Sequence, residues 1–229
     1  MIRAIYFDLD NTLVNRNASI DKFARRFVKT FSAELKEITP SRVSSIIKKQ
    51  DNGGYLPHNS KYNKIFQAIG SELSSQLNWA RSKPDAVLSD FWKEEFPKCS
   101  IEMEGATTLV NYLHQKGYHL GVISNGAENS RVSTIKATPF GHLFSQIVSS
   151  EKFGISKPDS SIFEHTLSLA NYKAHECVYI GDHPINDVHG ASNAGLKAVW
   201  LRGFHKEISL PSGSVTINRL NDIIDVLNL

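Results

Sequence analysis

The stretch "IYFDLDNTLV", residues 5–14, carries an apolar run straight into two carboxylates, Asp8 and Asp10, one residue apart. Residues 2–7 read as a buried β-strand, because they are short of polar alternation and rich in β-branched and aromatic side chains. Four further segments read the same way: 118–123 ("YHLGVI"), 146–149 ("QIVS"), 177–180 ("CVYI") and 198–201 ("AVWL").

Helical patterns fall between these strands. Ala106, Leu109, Val110 and Leu113 recur at helical spacing, and Gly117 stands where the helix would close. Asp159 or Ser160 can cap a helix with Phe163, Leu167 and Ala170 on one face. Leu220, Ile223, Ile224 and Leu227 mark a C-terminal helix. Strand alternating with helix predicts an α/β core, a doubly wound parallel sheet of the Rossmann-like kind with both faces covered.

Residues 16–99 break the alternation, with no convincing strand. Ile20, Phe23, Ala24 and Phe27 make a helical face behind Ser19 as N-cap; Val43, Ile46 and Ile47 follow "TPS"; Leu88, Phe91 and Trp92 follow "KPD". Turn-rich pieces such as "DNGGYLPHN" join them. The expected organisation is therefore a core of residues 1–15 and 100–229 with an all-helical insertion at 16–99. The insertion holds 15 Lys and Arg against 9 Asp and Glu, whereas the remainder holds 11 against 14. That asymmetry is either ordinary helix surface or a positive cover for an anionic substrate.

Composition narrows the function classes. Of 229 residues, 41% are hydrophobic and 21% charged, which suits a folded domain and not a disordered chain. No apolar run approaches the ~18 residues of a membrane span. Cys99 and Cys177 are far apart and read as reduced packing residues. The strand pattern begins too early to leave a signal peptide. A soluble, cytoplasmic protein is expected, without membrane partner. The net charge of +3 and the isolated "ARR" and "KK" do not argue for nucleic acid. Oligomeric state is not legible.

In an open parallel sheet, ligands bind beyond the carboxyl ends of the strands. Asp8 and Asp10 follow the first strand, Ser124 and Asn125 the second, Lys157 in "SKPD" the third, and Asp182 and Asp187 in "GDHPIND" the fourth. Each has an ordinary alternative: a capped turn, a surface loop or a solvated helix face. His183 and His189 read as local surface groups or as supports behind the ligands. Together, at four strand ends in this order, the residues point to chemistry. Four crowded carboxylates repel one another unless a hard cation such as Mg²⁺ joins them. Cations, a hydroxyl donor and a carboxylate able to attack suit a phosphoryl group.

These motifs resemble the haloacid dehalogenase superfamily of Asp-nucleophile hydrolases. "DLDNT", Ser124 after "GVI", Lys157 in "SKPD" and "GDHPIND" match the family's four motifs in order, over residues 2 to about 201. The helical insertion resembles the family's cap, and "QDNGGYLPHNSKYNKIF" within it is similar to a less specific pattern of phosphatase-like members. "MEGA", where Pro-Gly is more usual, departs from the family only in the hinge region.

The resemblance implies roles. Asp8 would be the nucleophile and a Mg²⁺ ligand. Asp10 would be the general acid/base, with its backbone carbonyl on the metal. Ser124 and the Asn125 amide would hold the phosphoryl group, and Lys157 would pair with it and with Asp8. Asp182 would bind Mg²⁺ directly, and Asp187 directly or through water. In the cap, Arg16, Tyr55 and His58, with Asn15 and Asn59 beside them, would face the rest of the substrate. The expected function is a Mg²⁺-dependent phosphatase of a small phosphorylated metabolite: a nucleoside monophosphate, a sugar phosphate or a phosphoglycolate-like acid. A phosphomutase and a non-catalytic binding module on the same fold are the alternatives. A dehalogenase is disfavoured, since those enzymes lack an acid at the position of Asp10.

Overall fold

The structure, a computed structural model, describes residues 1–228. The chain forms two compact units, Met1–Val14 with Glu102–Leu229, and Asn15–Ile101.

The chain begins with β1 (Ala4–Phe7) and then enters the helical unit, made of α1 (Arg16–Thr30), α2 (Pro40–Asp51), α3 (Ile65–Gln76) and α4 (Asp85–Glu95). The cap of α1 is Asn15 and not Ser19: the Asn15 side chain accepts from the Ala18 N–H at 2.9 Å. Ser19 lies buried in the first turn, donating to the Asn15 carbonyl at 2.8 Å and accepting from Ile101 N–H at 2.9 Å. The extended conformation of Asn15 leaves its short amide free to reach over the orphan N–H groups of the next turn. The core of this unit is aromatic. Phe23 meets Trp92 edge-on at 4.8 Å, and Trp92 stacks on Phe96 at 4.0 Å. Such pairs add about 0.5–1.5 kcal/mol each beyond the area they bury.

The α/β unit continues with α5 (Ala106–Gln115), β2 (His119–Ser124), α6 (Glu128–Lys136), β3 (Gln146–Ser149), α7 (Ser150–Phe153), α8 (Ser160–Ala170), β4 (Cys177–Gly181), α9 (Gly190–Asn193), β5 (Lys197–Leu201), β6 (Val215–Ile217) and α10 (Asp222–Leu227). The strands form one parallel sheet in the order β3-β2-β1-β4-β5-β6. The doubly wound α/β core is thus observed. Ile5 and Phe7 of β1 pack with Leu109, Val110 and Leu113 of α5, while Ala4 and Tyr6 pack with Ile162, Phe163 and Leu167 of α8. Helices on both faces explain why the strand is apolar at every position.

Several elements carry little signal in the sequence, β6, α6 and α3 among them. β6 has three residues, and α6 buries only Thr134 and Ile135, so it shows no apolar stripe. The buried positions of α3, Ala68, Ile69, Gly70 and Leu73, include a glycine that dilutes the pattern. Among the described residues, no helix is long and apolar enough to cross a membrane.

Candidate active site

The strand order reverses between β1 and β4, which leaves a crevice at their carboxyl ends. The ladder runs one step past β1: Asp8 N–H donates to Ile180 O at 2.8 Å, so Asp8 emerges beside Gly181. Gly181 has to lack a side chain, since a Cβ there would stand 2.3 Å from the Asp187 carboxylate. A wide π-type turn over Pro184–His189 follows, and His183 Nδ1 caps it by accepting from the N–H groups of Ile185 and Asn186, each at 3.1 Å. This turn bends Asp187 inward, where its Oδ2 accepts from His183 N–H at 2.9 Å. π-type turns of this kind recur at functional sites.

Lys157 arrives from the loop between α7 and α8. The Asn125 side chain holds its backbone from both sides, accepting from Lys157 N–H at 2.9 Å and donating to its carbonyl at 3.0 Å. The buried ammonium stands 2.7 Å from Asp8 Oδ1, 2.7 Å from Asp187 Oδ1, 2.7 Å from the Tyr179 hydroxyl and 2.9 Å from Ile123 O. Ser124 is buried at the end of β2. Asp182 is buried, with its Oδ2 3.2 Å from His205 Nε2 and its carbonyl accepting from Trp200 Nε1 at 2.7 Å. Asp8, Asp182 and Asp187 each place a carboxylate oxygen within 4.8 Å of the others. Asp10 stands outside that trio, and its Oδ2 accepts from Arg131 Nη1 at 2.5 Å.

Charge is the controlling quantity here. Burial pushes the Asp8 carboxyl up to about 7; Lys157 pulls against the rise, while Asp187 and Asp182 add to it. Burial likewise raises Asp182, with His205 opposing and Asp187 adding. Burial works against the Lys157 charge, but Asp187 and Asp8 together outweigh it, so the ammonium persists. Three buried carboxylates facing one buried ammonium are therefore left with excess negative charge. A hard divalent cation among their oxygens would remove that excess, and an all-oxygen donor set fits Mg²⁺ or its relatives.

The helical unit treats its expected residues differently. Arg16 is buried, donating from Nε to Asp51 Oδ2 at 2.8 Å and from Nη2 to Asp51 Oδ1 at 2.6 Å. The same Asp51 accepts from Gly54 N–H at 3.1 Å, which ties the pair to the turn that follows α2. Tyr55, His58 and Asn59 are exposed beyond that turn. Three site residues were missed in the sequence. Tyr179 had a signal, since a tyrosine inside a buried strand needs a partner for its hydroxyl. His205 follows the end of β5, the same edge as the other motifs. Arg131 sits on the pattern-free α6 and had none.

A profile of the haloacid dehalogenase-like hydrolases matches residues 5–201, most of the chain. The chain belongs to this family. Its match spans every motif of the crevice, from Asp8 to Asp187. Among the curated relatives, the chain is 27% identical over 206 residues to "Glyceraldehyde 3-phosphate phosphatase" of Pyrococcus abyssi, covering 88% of this chain and 82% of that protein. It is 27% identical over 197 residues to "Pyrophosphatase PpaX" of Listeria welshimeri, covering 84% and 80%. The fold is similar to that of the Bacillus subtilis haloacid dehalogenase-type hydrolase YfnB bound to magnesium, with a TM-score of 0.72 at 20% identity over 100% of this chain and 99% of that one.

Proposed function

We propose that this haloacid dehalogenase-like hydrolase, an enzyme of the phosphatase type, is a Mg²⁺-dependent phosphomonoesterase that works through an aspartyl-phosphate on Asp8. The observation that carries the reading is the meeting of the Asp8, Asp182 and Asp187 carboxylates at the crevice, with the Lys157 ammonium 2.7 Å from both Asp8 and Asp187. The names of the phosphatase relatives support the reaction class, and the magnesium in YfnB supports the metal.

Asp8, Asp182 and Asp187 would hold Mg²⁺, which when bound supplies charge for the phosphoryl oxygens and for the three carboxylates. Lys157 favours the ionised form of Asp8, against the burial that raises its pKa, and with the cation bound would help keep it ionised as a nucleophile must be; its remaining charge is offered to the phosphoryl group. In the first half-reaction an Asp8 oxygen bonds to phosphorus while the bond to the leaving-group oxygen breaks. Asp10 gives its proton to that oxygen. In the second, Asp10 takes a proton from water, the water oxygen bonds to phosphorus, and Asp8 is released with inorganic phosphate. The Ser124 hydroxyl and the Asn125 backbone N–H are proposed donors to the transferring group.

Tyr55 and His58 are proposed to recognise the part of the substrate that is not transferred. Arg16, held by Asp51, is assigned to shaping their loop. A cytoplasmic setting is proposed as well, in keeping with the two buried free thiols, Cys99 and Cys177.

The deciding experiment is phosphate release across a panel of phosphorylated metabolites, with and without Mg²⁺. Turnover that requires the metal supports the reading. Turnover that survives exhaustive chelation overturns the metal assignment, and halide release from a haloacid without phosphatase activity overturns the reaction class.

A further inference from the structure

We propose that Arg131 binds an anionic group on the leaving group, so that preferred substrates carry a carboxylate or a second phosphoryl group close to the bridging oxygen. This rests on the phosphatase reading, in which Asp10 protonates that oxygen. Arg131 Nη1 is 2.5 Å from Asp10 Oδ2, and the side chain is 11% exposed. Its Nε is buried and has no acceptor among the described residues. A buried guanidinium N–H without a partner is uncommon.

The loop after β2 is shaped to admit this side chain. A Cβ on Gly126 would lie 2.8 Å from Arg131 Nε and 3.0 Å from Nη2, and Gly126 sits at φ +135°, a conformation other residues rarely adopt. Glycine here thus lets the guanidinium lie against the backbone that follows Ser124 and Asn125, the proposed donors to the phosphoryl group. Nη1 engages Asp10, and Nε is left without an acceptor among the described residues. A planar carboxylate or a phosphoryl group one or two bonds beyond the bridging oxygen matches that fork. A neutral alkyl leaving group would leave Nε unbonded, and a cationic one would be repelled.

The test is kcat/KM for three matched esters: 2-phosphoglycolate, 2-hydroxyethyl phosphate and 2-aminoethyl phosphate. They place a carboxylate, a hydroxyl and an ammonium at the same position. The wild-type order should be carboxylate, hydroxyl, ammonium. In Arg131→Gln the carboxylate-over-hydroxyl ratio should fall about 10- to 100-fold, the range of a charged hydrogen bond, and Arg131→Lys should fall between. Any general loss transmitted through Asp10 cancels in the ratio. A ratio equal in wild type and Arg131→Gln, or a wild-type preference for the ammonium ester, overturns the assignment while leaving the phosphatase reading intact. Absence of hydrolysis of every ester, p-nitrophenyl phosphate included, overturns both.

Discussion

The Lys157 ammonium and the Asp8 carboxylate, 149 residues apart in the chain, meet at 2.7 Å in the buried floor of the crevice. The same ammonium is 2.7 Å from Asp187, so one cation answers two acids while Asp182 lies beside them with His205. This imbalance should make the site sensitive to protons and to metal.

The metal-free protein should lose stability as pH rises. Asp8 has an ordinary value of 3.8 in the unfolded chain and is raised to about 7 by burial in the folded one. Between those values the folded state holds a proton that the unfolded state has released, so stability falls with rising pH, by at most about 1.4 kcal/mol per pH unit for one group. The stabilisation is complete below the unfolded value and gone above about 7. Thermal melts in chelator from pH 5 to 8 should show Tm decreasing, and excess Mg²⁺ should flatten the trend. A Tm that climbs over this window contradicts the electrostatic account.

His205 should tune metal affinity. It stands 3.2 Å from Asp182 Oδ2, and the Asp182 hydrogen bond, which outweighs burial, raises its own pKa. Removing a partner of this kind from a metal ligand weakens metal binding by about 10- to 100-fold. Calorimetric titration of Mg²⁺ into His205→Gln reads this without any turnover. An unchanged Kd would show that Asp182 is oriented by its backbone alone.

Asp10→Asn should separate the two half-reactions. In the proposed mechanism a phenolic ester needs little protonation of its leaving group, so Asp8 should still be phosphorylated. Water always needs a base, so the second step slows by roughly 10²- to 10⁴-fold. Mass spectrometry after rapid quench should find a phosphate adduct on the peptide that contains Asp8, and Asp8→Asn should show none. Near-normal hydrolysis of an alkyl phosphate by Asp10→Asn would mean that another group handles the proton.

Arg16→Met should destabilise the protein by about 3–5 kcal/mol, because Asp51 would be left charged and buried. The pair is bidentate at 2.8 and 2.6 Å, and both side chains are nearly inaccessible. The double variant Arg16→Met with Asp51→Leu should recover much of the loss, since no unpaired charge remains. Urea unfolding of both variants checks this. Equal destabilisation by the single and double changes would mean that packing, not charge pairing, fixes the loop.

The sequence by itself determined the core. In a parallel sheet covered on both faces most strand residues are buried, so β1, β2, β3, β4 and β5 appear as largely apolar runs, and the right-handed α/β winding brings their carboxyl ends to one edge. Asp8, Asp10, Ser124, Lys157, Asp182 and Asp187 were therefore legible as residues that follow strands. Tertiary structure alone decided what each side chain meets. Arg131 reaches Asp10 because α6 and Gly126 place it there, and α6 has no apolar stripe to announce its position. His205 meets Asp182 through the geometry of the loop beyond β5, and Arg16 is buried because Asp51, 35 residues away, turns toward it. A charged residue has the same appearance in a sequence whether water or a partner surrounds it; only packing, which sets the local dielectric and the partner's distance, separates the two.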